Sequence, residues 1–100
     1  MAAYIISRVS IEDAATMSGY MAKAPETVLK YGGQYLLRNG SFETLEGTAD
    51  YDRMVVLQFP DKVDALRWYN SEEYSPLRKI RQGASQAHIV IVPDEGAFPI

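Results

Sequence analysis

Residues 53–69 read RMVVLQFPDKVDALRWY, a strand, its stop and a helix start in direct succession. Apart from Arg53 and Gln58, residues 53–59 are apolar and rich in β-formers, which predicts a strand. Pro60 ends it, having no N–H to give to a ladder. Asp61, with Asp64 three residues on, predicts a helix cap, because a short carboxylate accepts a free backbone N–H and suits the positive helix end. The helix then carries Val63, Leu66 and Tyr69 on its inward stripe, with Trp68 turned the other way. The strand itself has no polar side. Met54, Val56 and Gln58 share one face and Val55, Leu57 and Phe59 the other, whereas a sheet wetted on one face alternates apolar with polar residues.

Working outward, Ala3 to Val9 reads as a first strand. Ser10 with Asp13 resembles a capping box, so a helix is expected to begin there. Met17, Tyr20, Met21, Ala24, Val28 and Leu29 recur at helical spacing as its inward stripe. Pro25 predicts a kink or break near Ala24, and Gly32-Gly33 a left-handed helix end. Gln34 to Arg38 is a second strand, and Asn39-Gly40 the pair favoured in tight turns with positive φ. Phe42 to Glu46 reads as a continuation of that strand after a bulge or bend, before the polar loop 47–52. Beyond the quoted stretch, Asn70-Ser71 opens a turn and caps a segment with Tyr74, Leu77 and Ile80 or Arg81 inward, ended by Gly83. Gln86 to Val92 is the last strand. A single domain over 1–95 and a tail over 96–100 follow.

The order strand, helix, strand, strand, helix, strand predicts an α+β fold, the ferredoxin-like βαββαβ antiparallel sheet with its helices on one face. The last strand repeats the two-sided pattern, with His88, Val90 and Val92 against Ile89 and Ile91. Two helices cover one face only. The other face needs a cover, and a second sheet from another copy supplies it, so a homodimer paired as an α/β barrel is expected.

Composition narrows the chemistry. One hundred residues with 47% hydrophobic content fit one core. A net charge of −3 with ten scattered Lys and Arg argues against nucleic acid. The absence of cysteine rules out disulfides, thiolate nucleophiles and Cys-ligated metals. The apolar run in MAAYIISR is too short for a signal peptide, and no segment has the length of a membrane helix, so a soluble, cytoplasmic protein is expected. No nucleotide fingerprint, phosphate loop or serine triad appears, and the acid pairs Asp50/Asp52 and Glu72/Glu73 read as loop and helix-start charges. No cofactor and no metal are implied.

The segments Ala24-Pro25, Tyr31 to Gly40, Leu45-Glu46-Gly47, Phe59-Pro60 and Trp68 to Arg78 resemble the uncharacterised family called domain of unknown function 1330. The resemblance spans nearly the whole chain and implies membership of the dimeric α/β barrels. That superfamily includes cofactor-free monooxygenases, muconolactone isomerases and haem-handling enzymes, so the resemblance implies no one reaction. The first-strand Asn often found in the monooxygenases has no counterpart here, where Ser7 and Arg8 stand.

Several residues are candidates for chemistry. His88, the single histidine, reads first as a hydrogen-bonded strand residue and second as a general base, with Tyr74 the other catalytic candidate. Arg38, placed with Gln34 and Leu36 on one face by alternation, could clamp a carboxylate or pair with Glu46. Tyr20, Tyr69 and Tyr74 serve packing and could also turn hydroxyls into a pocket between helices and sheet. Three functions follow: a dimer binding a small anionic or aromatic molecule, a cofactor-free monooxygenase or isomerase acting on a cyclic or aromatic substrate, or a non-catalytic association or sensing protein.

Overall fold

The computed structural model describes residues 2–48 and 50–94, so the end of the expected domain and the tail over 96–100 lie outside the described residues. The elements are β1 (Ala3–Ile11), α1 (Ala14–Lys30), β2 (Gln34–Ser41), β3 (Arg53–Phe59), α2 (Lys62–Tyr69), α3 (Ser75–Ala84) and β4 (Ser85–Pro93). The sheet order is β2-β3-β1-β4, with each neighbouring pair antiparallel. This is the ferredoxin-like arrangement, in which the second helical unit is divided into α2 and α3 by the turn at Asn70-Ser71. Ser71 builds that turn, its hydroxyl donating to the Trp68 carbonyl and accepting from the Tyr74 N–H.

The register sorts the sheet into two sets of cross-strand rows. Leu57–Ile5–Ile91 and Val55–Ser7–Ile89 face the helices, while Gln58–Tyr4–Val92, Val56–Ile6–Val90 and Met54–Arg8–His88 face away. The helix-facing side holds the core, in which Ile5, Leu57 and Phe59 pack against Val28, Ala65, Trp68, Tyr74 and Leu77. The outer side stays apolar and uncovered in the single chain, with Val90 40% and Val92 42% exposed. Among the described residues no helix is long and apolar enough to cross a membrane.

Several local expectations are corrected. β1 runs on through Ser10, which pairs with Gln86, so Ser10 is extended and cannot cap the helix. Asp13 does so instead: one carboxylate oxygen accepts from Thr16 N at 3.1 Å and the other from the Thr16 hydroxyl at 2.7 Å. Those bonds lower the Asp13 pKa, so the cap is intact above the ordinary carboxylate range and is lost as pH falls through the lowered value. Val63 and Leu66 are exposed, and α2 buries Ala65 and Trp68. The indole decides the face, because it stacks on Tyr74 at 4.0 Å between ring centroids and donates its N–H to the Thr27 hydroxyl at 2.9 Å. Leu29 is likewise exposed, α3 ends at Ala84 rather than Gly83, and β2 stops at Ser41, so Phe42 to Glu46 does not continue the strand.

The end of α1 follows the expected pattern. Gly32 has φ +83, its N–H donates to the Leu29 carbonyl, and the Gly33 N–H donates to the Val28 carbonyl. This double bond pattern closes the last turn. Gly33 serves packing: a Cβ there would stand 2.6 Å from the Phe59 ring.

Pro25 lies inside an uninterrupted helix. It has no N–H to offer the Met21 carbonyl four residues back, and Arg38 Nη2 donates to that carbonyl at 3.0 Å. A side chain from a neighbouring strand therefore supplies the missing donor. Asn39 has φ +54 as its pairing with Gly40 suggests, but the two form an irregularity inside β2 rather than a hairpin turn. Register shifts between Tyr35 and Leu37 and between Leu37 and Gly40 break simple alternation, and Arg38 stands over the Tyr35 ring instead of sharing a face with Gln34.

A double-mutant cycle checks this account. Arg38→Met is expected to destabilise the protein by up to about 1 kcal/mol, the net worth of an exposed hydrogen bond to that carbonyl, and by clearly less in a Pro25→Ala background. Equal effects of Arg38→Met in both backgrounds, measured by urea unfolding, would contradict it.

Candidate ligand cavity between the helices and the sheet

A cavity of about 50 Å³ lies between the inner sheet face and α1, α2 and α3. Its floor is the row Val55–Ser7–Ile89 with Ile5 and Leu57 beside it, and its roof is Tyr20, Met17 and Met21 from α1 with Tyr74 and Arg81 from the opposite side. Ser7 explains the hollow. It is buried between two large aliphatic residues, where a branched side chain would fill the space.

The polar groups are few and concentrated. The hydroxyls of Tyr20 and Tyr74 lie 2.6 Å apart, and the two rings meet edge to face at 6.2 Å. Arg81 is buried beside them, in the last turn of α3. Tyr35, Tyr69, Arg38 and Asn39 complete this side of the lining. Burial, joined by the neighbouring Tyr74, pushes the Tyr20 phenol well above its ordinary value. Burial likewise raises Tyr35, from the usual 10.0 to about 12, against the opposing pull of Arg38.

Both phenols therefore hold their protons more tightly in the folded chain than in the unfolded one. Their contribution to stability is full below pH 10 and is lost as pH rises through the raised values. Stability is thus expected to fall as pH rises from 10 through about 12. Phenolate absorbance followed alongside circular dichroism checks this. Ionisation of every tyrosine near pH 10 with the fold intact would contradict it.

The residues singled out in the sequence divide cleanly. Tyr20, Tyr69, Tyr74 and Arg38 all line the cavity. Arg38 stands at its rim with an exposed side chain engaged on the Met21 carbonyl, and forms no ion pair with Glu46. Tyr69 is held by Arg78, whose guanidinium lies over its ring at 4.6 Å and donates to its carbonyl. His88 is not part of this group. Strand alternation puts it on the outer face, exposed, with Nδ1 3.3 Å from Arg8 Nη2, which can only donate. Trp68 also turns inward, contrary to expectation, and lines the cavity from the core. Arg81 and Ser7 were not read as site residues. The available signal was a charge on the inward stripe of α3 and a hydroxyl inside an apolar strand.

The family model for a domain of unknown function, DUF1330, matches residues 2–94. The chain belongs to the DUF1330 family. No curated protein matches the sequence significantly. Among solved structures, a protein of unknown function from Rhodopseudomonas palustris is similar over 98% of this chain and 84% of its own, with 17% identity and a TM-score of 0.77. SnoaB, a cofactor-independent oxygenase from Streptomyces nogalater, is similar over 99% of this chain and 98% of its own, with 14% identity and a TM-score of 0.63. A dimeric ferredoxin-like protein of unknown function from Jannaschia sp. is similar over 92% and 98%, with 10% identity and a TM-score of 0.63. At these identities the likeness establishes that this DUF1330 chain shares their fold, and nothing more about its activity.

Proposed function

We propose that this DUF1330 protein is a homodimer, paired through the outer sheet face, that binds a compact small molecule in the cavity between its helices and sheet. The observation that carries the reading is the coupled Tyr20–Tyr74 hydroxyl pair facing an unfilled, otherwise largely apolar cavity. A dry hollow would need no polar groups, and a packing role alone would favour a larger residue than Ser7. The uncovered outer rows and the dimeric ferredoxin-like neighbours support the pairing.

Size limits the ligand. An engineered cavity of roughly 150 Å³ accommodates benzene. The cavity here is about 50 Å³, so any ligand of several heavy atoms must displace part of the lining, and an aromatic ring must displace more of it than a three-carbon compound does. This weakens the cofactor-free oxygenase or isomerase reading, whose support is the fold of SnoaB, and the placement of His88 on the other face removes its second proton-handling candidate. A purely associating protein gains nothing from the hollow.

A thermal-shift comparison of acetone, propionamide and propionate tests the reading. At least one is expected to raise the melting temperature of the wild type, since a ligand bound only by the native state stabilises it. The same compound is expected to leave Ser7→Val, whose cavity is filled, unmoved. Absence of any shift in the wild type, or an equal shift in Ser7→Val, would refute it.

A further inference from the structure

Arg81 is the group in the cavity that folding alone does not account for. The residue is only 6% exposed, and its Nε is buried with no hydrogen-bond partner among the described residues. The ion pairs found there, Lys30–Glu73 and Arg67–Asp64, lie on other side chains. The ionisable groups that act on Arg81 are the phenols of Tyr74, Tyr20 and Tyr69. Burial works against its charge, but the hydrogen bond to the Tyr74 hydroxyl works for it, and a guanidinium stays charged at neutral pH. Among the described residues no carboxylate pairs with this cation, whose Nε lies inside the protein, although buried charges are ordinarily paired.

Helix geometry fixes it there. Leu77 and Arg81 follow the N-cap Tyr74 on the buried side of α3, where an aliphatic residue at 81 would have satisfied packing. At the opposite rim Arg38 differs in being exposed to solvent, with one donor engaged on the Met21 carbonyl. There is also a way in. Tyr69, Arg81 and Ile89 line both the cavity and a surface cleft of about 360 Å³ beside β4, so these three side chains are the wall between ligand site and solvent.

We propose that the cavity receives a short-chain monocarboxylate, whose carboxylate accepts from Arg81 and the Tyr20–Tyr74 hydroxyls and whose alkyl part lies against Ile5, Val55 and Ile89. This rests on the cavity being a ligand site and names the class of ligand. Guanidinium and carboxylate match in charge and in donor geometry. One negative charge balances one guanidinium, whereas the second charge of a phosphate or dicarboxylate would lie unmatched against aliphatic side chains. The small volume restricts the tail to a few carbons.

Calorimetric titration of propionate and of its neutral isostere propionamide, into wild type and Arg81→Met in a halide-free buffer, tests the assignment. Propionate is expected to bind the wild type at least about tenfold more tightly than propionamide, a difference suited to a charge-assisted pair. Arg81→Met is expected to lose that preference while melting no lower than the unliganded wild type, since it replaces an unpaired buried charge by an aliphatic chain. The wild-type comparison stands even if the variant fails to fold. Equal affinities overturn the anion assignment and leave the cavity reading intact, and no binding of either compound ends both. Tighter binding of inorganic phosphate or chloride than of propionate would overturn the monocarboxylate class.

Discussion

Leu57→Asp is expected to leave a chain without a cooperative thermal transition. Leu57 is 4% exposed and sits in the row Leu57–Ile5–Ile91, within the core formed with Phe59, Trp68 and Tyr74. A carboxylate there is set among Ile5, Phe59 and Trp68 with only the narrow cavity on its free side, and the expected loss is about 4 kcal/mol or more. Against the roughly 5–15 kcal/mol that holds a small domain together, that removes much or all of the stability. Circular dichroism and thermal melting check it. A native-like melt would show that the inner row has been assigned to the wrong face.

Val90→Asp is expected to do something different: dissociate the dimer and leave the protomer folded. Val90 precedes Ile91 by one residue, so alternation turns it to the outer row Val56–Ile6–Val90, where it is 40% exposed in the single chain. In the protomer the new carboxylate is hydrated, and stability should stay within about 1 kcal/mol of the wild type. In a face-to-face pair it would lose its water against Val and Ile from the second sheet, and association should fail. Sedimentation equilibrium at micromolar concentration reads this directly. A monomeric wild type, or a Val90→Asp variant that dimerises equally well, would contradict the proposed pairing.

The parts of the fold that were legible in the sequence are those in which local chemistry and tertiary packing agree. Arg53 to Phe59 begins and ends as read, because Pro60 and the Asp61 cap fix its boundary within a few residues. The glycine-terminated end of α1 is equally local, its bonds spanning only a few residues. Where a distant partner decides, local reading misled. Pro25 looked like a helix break because nothing nearby shows that Arg38 will supply the lost donor. Ser10 looked like a cap because its pairing with Gln86 lies across the sheet. In α2 the aliphatic residues Val63 and Leu66 define a plausible stripe, but the larger Trp68, stacked on Tyr74 and bonded to Thr27, sets the buried face.

The candidate site shows the same division. The helical stripes correctly brought Tyr20 and Tyr74 inward, and their hydroxyls meet across two helices. A bulge redirected Arg38, since two register shifts in β2 cannot be counted from alternation alone. His88 was drawn toward the site by its chemistry and excluded from it by strand parity. Arg81 was one of two choices for an inward position on α3, and burial of the charged one rather than Ile80 is what gives the cavity its unsatisfied group.

Occupation of the cavity is the claim on which the functional account turns, and the protein carries its own reporter for it. Trp68 is the single tryptophan, it lines the cavity, and its indole N–H is held by Thr27, so it gives one indole resonance in a fixed setting. Propionate and propionamide titrated separately into wild type and Ser7→Val, followed by that resonance, localise binding as well as detect it. The account predicts a saturable shift in the wild type with at least one of the two and its loss in Ser7→Val. A wild-type resonance that stays in place with both, or a shift that survives filling of the cavity, would contradict it.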